Sequence, residues 1–532
     1  MRPASALVVA ASIIAAGPCL AQTAPVNGIR SAEVRTHAIT GATVVVSPVE
    51  TLESATIVIR DGVIEAVGPA VLVPANARIY DGTGLTVYAG LIDAAVLVDV
   101  SVVTDGAGAH FSKRVHPQAA MSELSGPDES LREALRKLGF TAAAVYPSKG
   151  LFRGSGTVIA LADKDEHVLA YAERAAMAVG FDRGGRDDRE YPRSLMGAIA
   201  IIRQTLYDAQ WYGVCLRIWR EDPQGHEPPL RADALAALAD VILGRQQVLF
   251  DVSDEHNALR AARILDEFEL DGVLLGSGLE FRRLDAIVAL ERPIILALNY
   301  AKRPQVASLL EADDVSLRTM MTWEQAPTNA RRLLDAGAII AITTHRLDKR
   351  KDFHPALAKA IKHGLDESDA LAALTTTPAR LLGLESVMGT IEAGKVANLV
   401  VVEGSLFLKK PKIRDTWING RRHEISREPR VSFVGAGSLT TTTGLEAIVD
   451  IDTKKKKVSM RLPEATPDDP DDDAETTEDI DADDNDGEAE GDADKTRASK
   501  ARKPRSKKAT NVTVLRDRVS FVLDGELFDT EG

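Results

Sequence analysis

Two titratable side chains stand at the ends of short apolar runs. Asp251 closes Val248-Leu249-Phe250, and His345 lies just past Ile340-Ala341-Ile342, each run reading as a buried strand. A carboxylate and an imidazole are the residue types of general acid and base chemistry. A third feature, Arg153-Gly154-Ser155-Gly156-Thr157, is Gly-rich and could cradle an anion with its backbone N–H groups. It lacks the strand-to-helix context of a phosphate-binding fingerprint, so it reads as a tight turn. Asp254 and Glu255 read as strand-end acids or, equally well, as solvated charges of a first helical turn. Trp211-Tyr212 reads as core or interface packing. The other histidines, His37, His110, His116, His354 and His363 among them, show no ligand spacing. The two cysteines, Cys19 and Cys215, exclude a disulfide framework, and no Cys/His cluster has zinc-finger spacing.

The elements that must position these residues follow from periodicity. From Ile39 to Val87 the pattern is short and β-branched, with Asp61-Gly62 between two such runs as a hairpin signal. Beyond residue 90, strands alternate with helical segments, such as Leu131 to Lys137 before Phe140 to Tyr146. About 290 residues of that alternation suit an α/β fold of the (β/α)8 TIM barrel type. Short strands return from Gly389 to Glu424. The reading is therefore a composite β-sandwich from 30–90 and 388–425, a barrel over 91–387, and a C-terminal β extension from 426–463 and 511–532. An insertion, 464–510, interrupts the extension: Glu464 to Asp494 carries 17 acidic and no basic residues, and Lys495 to Lys508 carries eight basic and no acidic ones. With one large aliphatic, Ile480, it reads as disordered. The extension's end reads as an edge that could await a partner strand or be blunted by Glu526 and Asp529.

The chain has 532 residues and a net charge of -14, with no basic stripe, which argues against nucleic acid as a partner. Met1-Arg2-Pro3, the uncharged run Ala4 to Ala16 and Leu20-Ala21-Gln22 read as a secretory signal peptide, residues 1–21, cleaved near Ala21. Pro18 is a poor neighbour for lipidation at Cys19. The expected location is the periplasm or the exterior. The apolar run is shorter than the roughly 20 residues that cross a bilayer, and no second one appears, so no transmembrane segment is expected.

Thr56 to Gly68 followed by Val87-Tyr88-Ala89-Gly90-Leu91-Ile92-Asp93-Ala94 resembles the opening of the amidohydrolase superfamily, imidazolonepropionase-like branch. Leu374 to Gly383, then Gly389 to Val401, resembles its closing signature, and Leu151-Phe152-Arg153-Gly154 with Ser194 to Tyr212 looks like an exported subgroup. The resemblance implies one or two divalent metals at the barrel mouth, activating a water for attack on a C–N bond. It implies a His-x-His after the first strand, histidines ending strands five and six, and an Asp ending strand eight. The matching positions hold Ala95 and Leu97, Asp251, Ser277 and His345. The strand-four bridging residue has no assignment. Asp251 and His345 look like an exchange of His and Asp between two strand ends. With Asp93 or His256 they could hold a single zinc, or act as an acid and base pair without metal, and chance substitution is the plainer account. Asp93, Arg153 and Ser277 are further pocket candidates. The expectation is a binding or assembly partner without cofactor, taking a small-molecule ligand or a related amidohydrolase chain. The alternative is a periplasmic hydrolase of C–N bonds in small amides or peptides.

Overall fold

The computed structural model describes residues 35–426 apart from 104, 125, 164–169 and 185–189, and then 434–440, 446–453, 457–461, 506–508, 510–514 and 519–522. The leader read at residues 1–21, the acidic run and the chain's last ten residues lie outside the described residues.

Both ends of the body build one eight-stranded sheet, joined where Leu85–Ala89 runs antiparallel to Leu399–Glu403. The expected sandwich is thus one hydrogen-bonded sheet. Because Leu85–Ala89 also pairs with Thr36–Ser47, no free edge separates the two halves. Two tight turns lock it. Asp61-Gly62 and Asn419-Gly420 all have positive φ, the geometry of two-residue hairpin turns whose twist matches the flanking strands. The turns touch: a Cβ on Gly62 would lie 2.8 Å from the Asn419 carbonyl oxygen. Ala397 N–H donates to Gly62 O (2.8 Å), and Gly420 N–H to Ala397 O (3.0 Å). Tyr171 ties this corner to the barrel, its hydroxyl donating to Asn419 Oδ1 (2.5 Å) and accepting from Asn398 Nδ2 (3.0 Å).

The barrel is of the TIM type. Leu91–Val98, Phe140–Pro147, Met177–Gly180, Val248–Asp251, Gly272–Leu275, Ile294–Ala297 and Ile340–Thr343 run in one sense, with helices such as Leu195–Glu221 and Glu255–Glu267 between them. The ring departs from eight parallel strands in one place. Thr157–Ala160 pairs antiparallel with Phe140–Pro147, and Phe152–Ser155 antiparallel with Met177–Gly180. Only four residues connect Pro147 to Phe152, too few for the crossover a parallel neighbour needs, so the chain turns straight back. The Gly-rich stretch therefore lies in two strands that meet at Gly156 and is not the expected turn. Its glycines admit close neighbours: a Cβ on Gly154 would sit 2.4 Å from Ala119 O, and one on Gly156 would strike the Tyr146 ring.

The C-terminal extension has four antiparallel strands, Val434–Thr440, Glu446–Asp452, Lys457–Arg461 and Ser506–Lys508, and a hairpin of Thr510–Val514 with Val519–Val522. Ser506–Lys508 falls within the span expected to be disordered. A ladder uses main-chain groups, and the facing strand supplies the apolar side with Val458 and Met460, both buried. No helix among the described residues is long and apolar enough to cross a membrane.

No backbone ladder joins Leu91–Val98 to Ile340–Thr343 among the described residues, and the fully buried Asp93 closes that seam. Thr344 donates to Asp93 Oδ2 from its N–H (3.1 Å) and its hydroxyl (2.6 Å). Thr343 Oγ1 lies 2.6 Å from Asp93 Oδ1 and 2.7 Å from Ala95 O, and accepts from His345 N–H (3.0 Å). A hydroxyl owns one hydrogen. Both short contacts are hydrogen bonds when Asp93 carries a proton and donates it to Thr343, which donates onward to Ala95. Burial pushes the Asp93 carboxyl up in the same direction, against the hydrogen bonds from Thr343, Thr344 and Ala95. Such a group takes up a proton on folding, so its stabilisation is full below about pH 4 and declines as pH rises through the folded-state value. Asp93→Asn, which keeps a donor toward Thr343 and loses only the long Ala95 contact (3.3 Å), should cost about 1 kcal/mol. Asp93→Ala should cost about 3–5 kcal/mol, because it leaves buried partners unsatisfied. Urea unfolding from pH 5 to 8 checks this: equal costs, or a pH slope in Asp93→Asn unchanged from that of the unsubstituted chain, would contradict a protonated seam.

Candidate functional site at the barrel mouth

Asp251 ends its strand in register with Gly180 on one neighbour and Leu275 on the other. Gly180 matters because a Cβ there would lie 2.4 Å from Arg153 Nη2. Its absence lets Arg153, 5% exposed, cross to the next strand. Arg153 donates from Nε to Gly150 O (3.2 Å) and from Nη2 to Asp251 Oδ2 (2.9 Å). From the opposite side Arg346 Nη2 reaches Asp251 Oδ1 (2.5 Å) and Val252 O (2.7 Å). One carboxylate is thus shared by two guanidiniums. Burial opposes its charge, yet Arg153 and Arg346 outweigh burial and hold the Asp251 carboxyl below the usual range.

His345 stands in the same field. Burial pushes its imidazole down to about 4; Asp251 pulls the other way, and Arg346, Arg153 and Arg350 add to the lowering. It is neutral at physiological pH. The bonds of Asp251 go to the arginines, and His345 meets it through the field alone.

The other sequence candidates disperse. Ser277 is committed to the buried Glu280: its N–H (2.6 Å) and hydroxyl (3.1 Å), with Gly278 N–H (3.1 Å), donate to Oε1, and Asn329 donates to Oε2 (2.7 Å). Asp93 is sealed in the seam. Asp254 caps the Glu255–Glu267 helix, accepting from His256 N–H (2.9 Å) and Asn257 N–H (2.8 Å), and the His256 side chain is exposed. Trp211 is exposed, while Tyr212 is buried and its hydroxyl accepts from Ala232 N–H (3.2 Å). Ala95 and Leu97 bring no lone pair.

Sequence reasoning missed Arg346, Arg350, His116 and Asp182. Asp182 accepts from the N–H groups of Gly150 and Gly184, both at 2.8 Å, and pairs with Arg114 (3.7 Å). His116 bonds Lys149 O (3.1 Å) through Nε2. Adjacency to His345 was the one sequence signal for Arg346. Metal chemistry needs converging donors, and among the described residues no group of three His, Cys, Asp or Glu side chains could hold a metal ion. The residues at this mouth do not fit the divalent centre that the family resemblance implies.

Strand-end polar residues over a TIM-type ring, flanked by a sheet drawn from both ends of the body, define the class of barrel proteins whose sites lie at the C-terminal mouth. Residues 318–423 match the Amidohydrolase family. Over 405 residues the chain is 26% identical to an imidazolonepropionase of Deinococcus deserti, spanning 70% of this chain and 92% of that protein. It is 30% identical over 188 residues to one of Symbiobacterium thermophilum, 32% and 40% of the two chains. The crystal structure of an amidohydrolase from Thermotoga maritima MSB8 shares the fold, with a TM-score of 0.58 at 22% identity over 72% of this chain and 98% of that one. These similarities support an assignment to the amidohydrolase superfamily, in its imidazolonepropionase-like branch.

The low His345 value sets a pH dependence. The unfolded imidazole titrates near pH 6.5 and the folded one near 4, so the unfolded chain binds the proton first and stability is lost as pH falls between them. His345→Gln should flatten part of the decline in melting temperature from pH 7 to 4. His354, also pushed down to about 4 by burial, supplies a remaining part. An unchanged slope in His345→Gln would show that His345 is not held neutral.

Proposed function

We propose that this chain is an exported amidohydrolase-superfamily protein whose metal centre is lost and that it serves as a binding or assembly partner, of a small-molecule ligand or of a related amidohydrolase chain. One observation carries the reading: both carboxylate oxygens of Asp251 are held by Arg153 and Arg346. Two unit charges at 4 Å repel by about 4 kcal/mol at an effective dielectric of 20, and a dication beside two guanidiniums meets a multiple of that. Ala95 and Leu97 at the His-x-His positions offer nothing in return. Export rests on the leader pattern ending near Ala21 and places the mature chain in the periplasm or outside the cell. The net charge of -14 disfavours nucleic acid as a partner.

The second reading is a hydrolase of C–N bonds in small amides or peptides, with a reduced or mononuclear site on Asp251 and His345. Its support is that the relatives carry enzyme names and that a neutral imidazole can accept a proton. Zinc content after dialysis against zinc, measured on the purified chain beside Asp251→Asn and His345→Ala, separates the two. The first reading expects far less than one zinc per chain and no turnover of small amides or dipeptides in any of the three proteins. About one zinc per chain, lost in both variants together with amide turnover, would establish the hydrolase instead.

A further inference from the structure

We infer that the barrel mouth binds a small carboxylate ligand between Arg153 and Arg346, an inference that rests on the metal-free reading above and names the ligand class it requires. Two guanidiniums, one 5% exposed and the other with its side chain 20% exposed, share the single negative charge of Asp251. The neutral His345 adds none. The next carboxylate, Asp182, is engaged by the N–H groups of Gly150 and Gly184 and by Arg114. With Arg350 also acting on this site, positive charge exceeds negative among the described residues, in a setting where buried charges are paired.

The donors match. Arg153 Nη1 and Arg346 Nε are buried and have no hydrogen-bond partner among the described residues, and the same holds for Nε of Arg350, whose charge also acts on His345. The open N–H groups of Arg153 and Arg346, on planar cations, suit the two oxygens of a carboxylate, and the excess of positive charge suits an anion. Arg350 also lines a rim cavity of about 770 Å³ with Leu97 and Leu131. The acids around that cavity are engaged: Asp99 pairs with Lys149 (2.7 Å), Asp348 with Lys302 (3.0 Å), and Asp128 caps the Glu129–Arg136 helix.

The test is thermal unfolding of the purified, chelator-treated chain with butyrate or inorganic phosphate, each against chloride at equal ionic strength. Butyrate should raise the melting temperature in a saturable way. Arg346→Gln, which leaves Arg153 on Asp251 and so keeps the ligand-free melting transition, should weaken butyrate at least about tenfold. No butyrate shift, a shift that Arg346→Gln leaves unchanged, or a response to phosphate alone would overturn the inference. A parallel sample, dialysed against zinc and not treated with chelator, is assayed for zinc: a chain that retains none and ignores butyrate sinks this inference and leaves the metal-free reading standing. Retained zinc with amide turnover sinks that reading itself.

Discussion

A single buried carboxyl holds the barrel shut. Where the first and last strands of the ring meet without a ladder, Asp93 gathers Thr343, Thr344 and Ala95 into one hydrogen-bonded knot. Everything at the mouth depends on that closure, because His345 and Arg346 follow directly on the knotted threonines. Only with the last strand drawn against the first does Arg346 reach back across the ring to Asp251, 95 positions earlier in the chain. The His345 N–H bond to Thr343 extends the knot to the rim, so the joint and the site share an atom.

Above the knot the electrostatics run opposite to those of a metal site. A divalent centre gathers lone pairs around a cation, whereas here cationic side chains gather around one carboxylate. Guanidiniums keep their charge at any physiological pH and hold their donors in a rigid fork, so the mouth is fixed in sign. The strand ends that meet at a barrel mouth are set by the ring and not by what they carry.

Much of the frame was legible in the sequence. Asp61-Gly62 announced its hairpin because two consecutive positive φ values demand such residues, and Asp251 and His345 were placed at strand ends by the apolar runs before them. The failures share a cause. Gly154 and Gly156 looked like turn residues, but they answer close approaches by Ala119 and Tyr146, contacts that local pattern does not record. Arg153 was noticed for its glycine neighbours and not for its partner, and Ser277 for its position and not for Glu280. A strand-end position says which way a side chain faces; what it meets there can stand 3 positions on, as Glu280 does from Ser277, or 95, as Arg346 does from Asp251. In Ser506–Lys508 charge outweighed the backbone pairing that forms the strand.

The touching turns Asp61-Gly62 and Asn419-Gly420 carry a temporal consequence. Leu85–Ala89 takes its second neighbour from Leu399–Glu403, roughly 300 residues later, so during synthesis at about 5–20 residues per second that edge waits roughly 15 to 60 s for its mate. For that interval Val87 and Tyr88 sit on an open strand that any other extended segment could join. The barrel is threaded through the gap, and the sheet is completed only when the ribosome has delivered both of its halves.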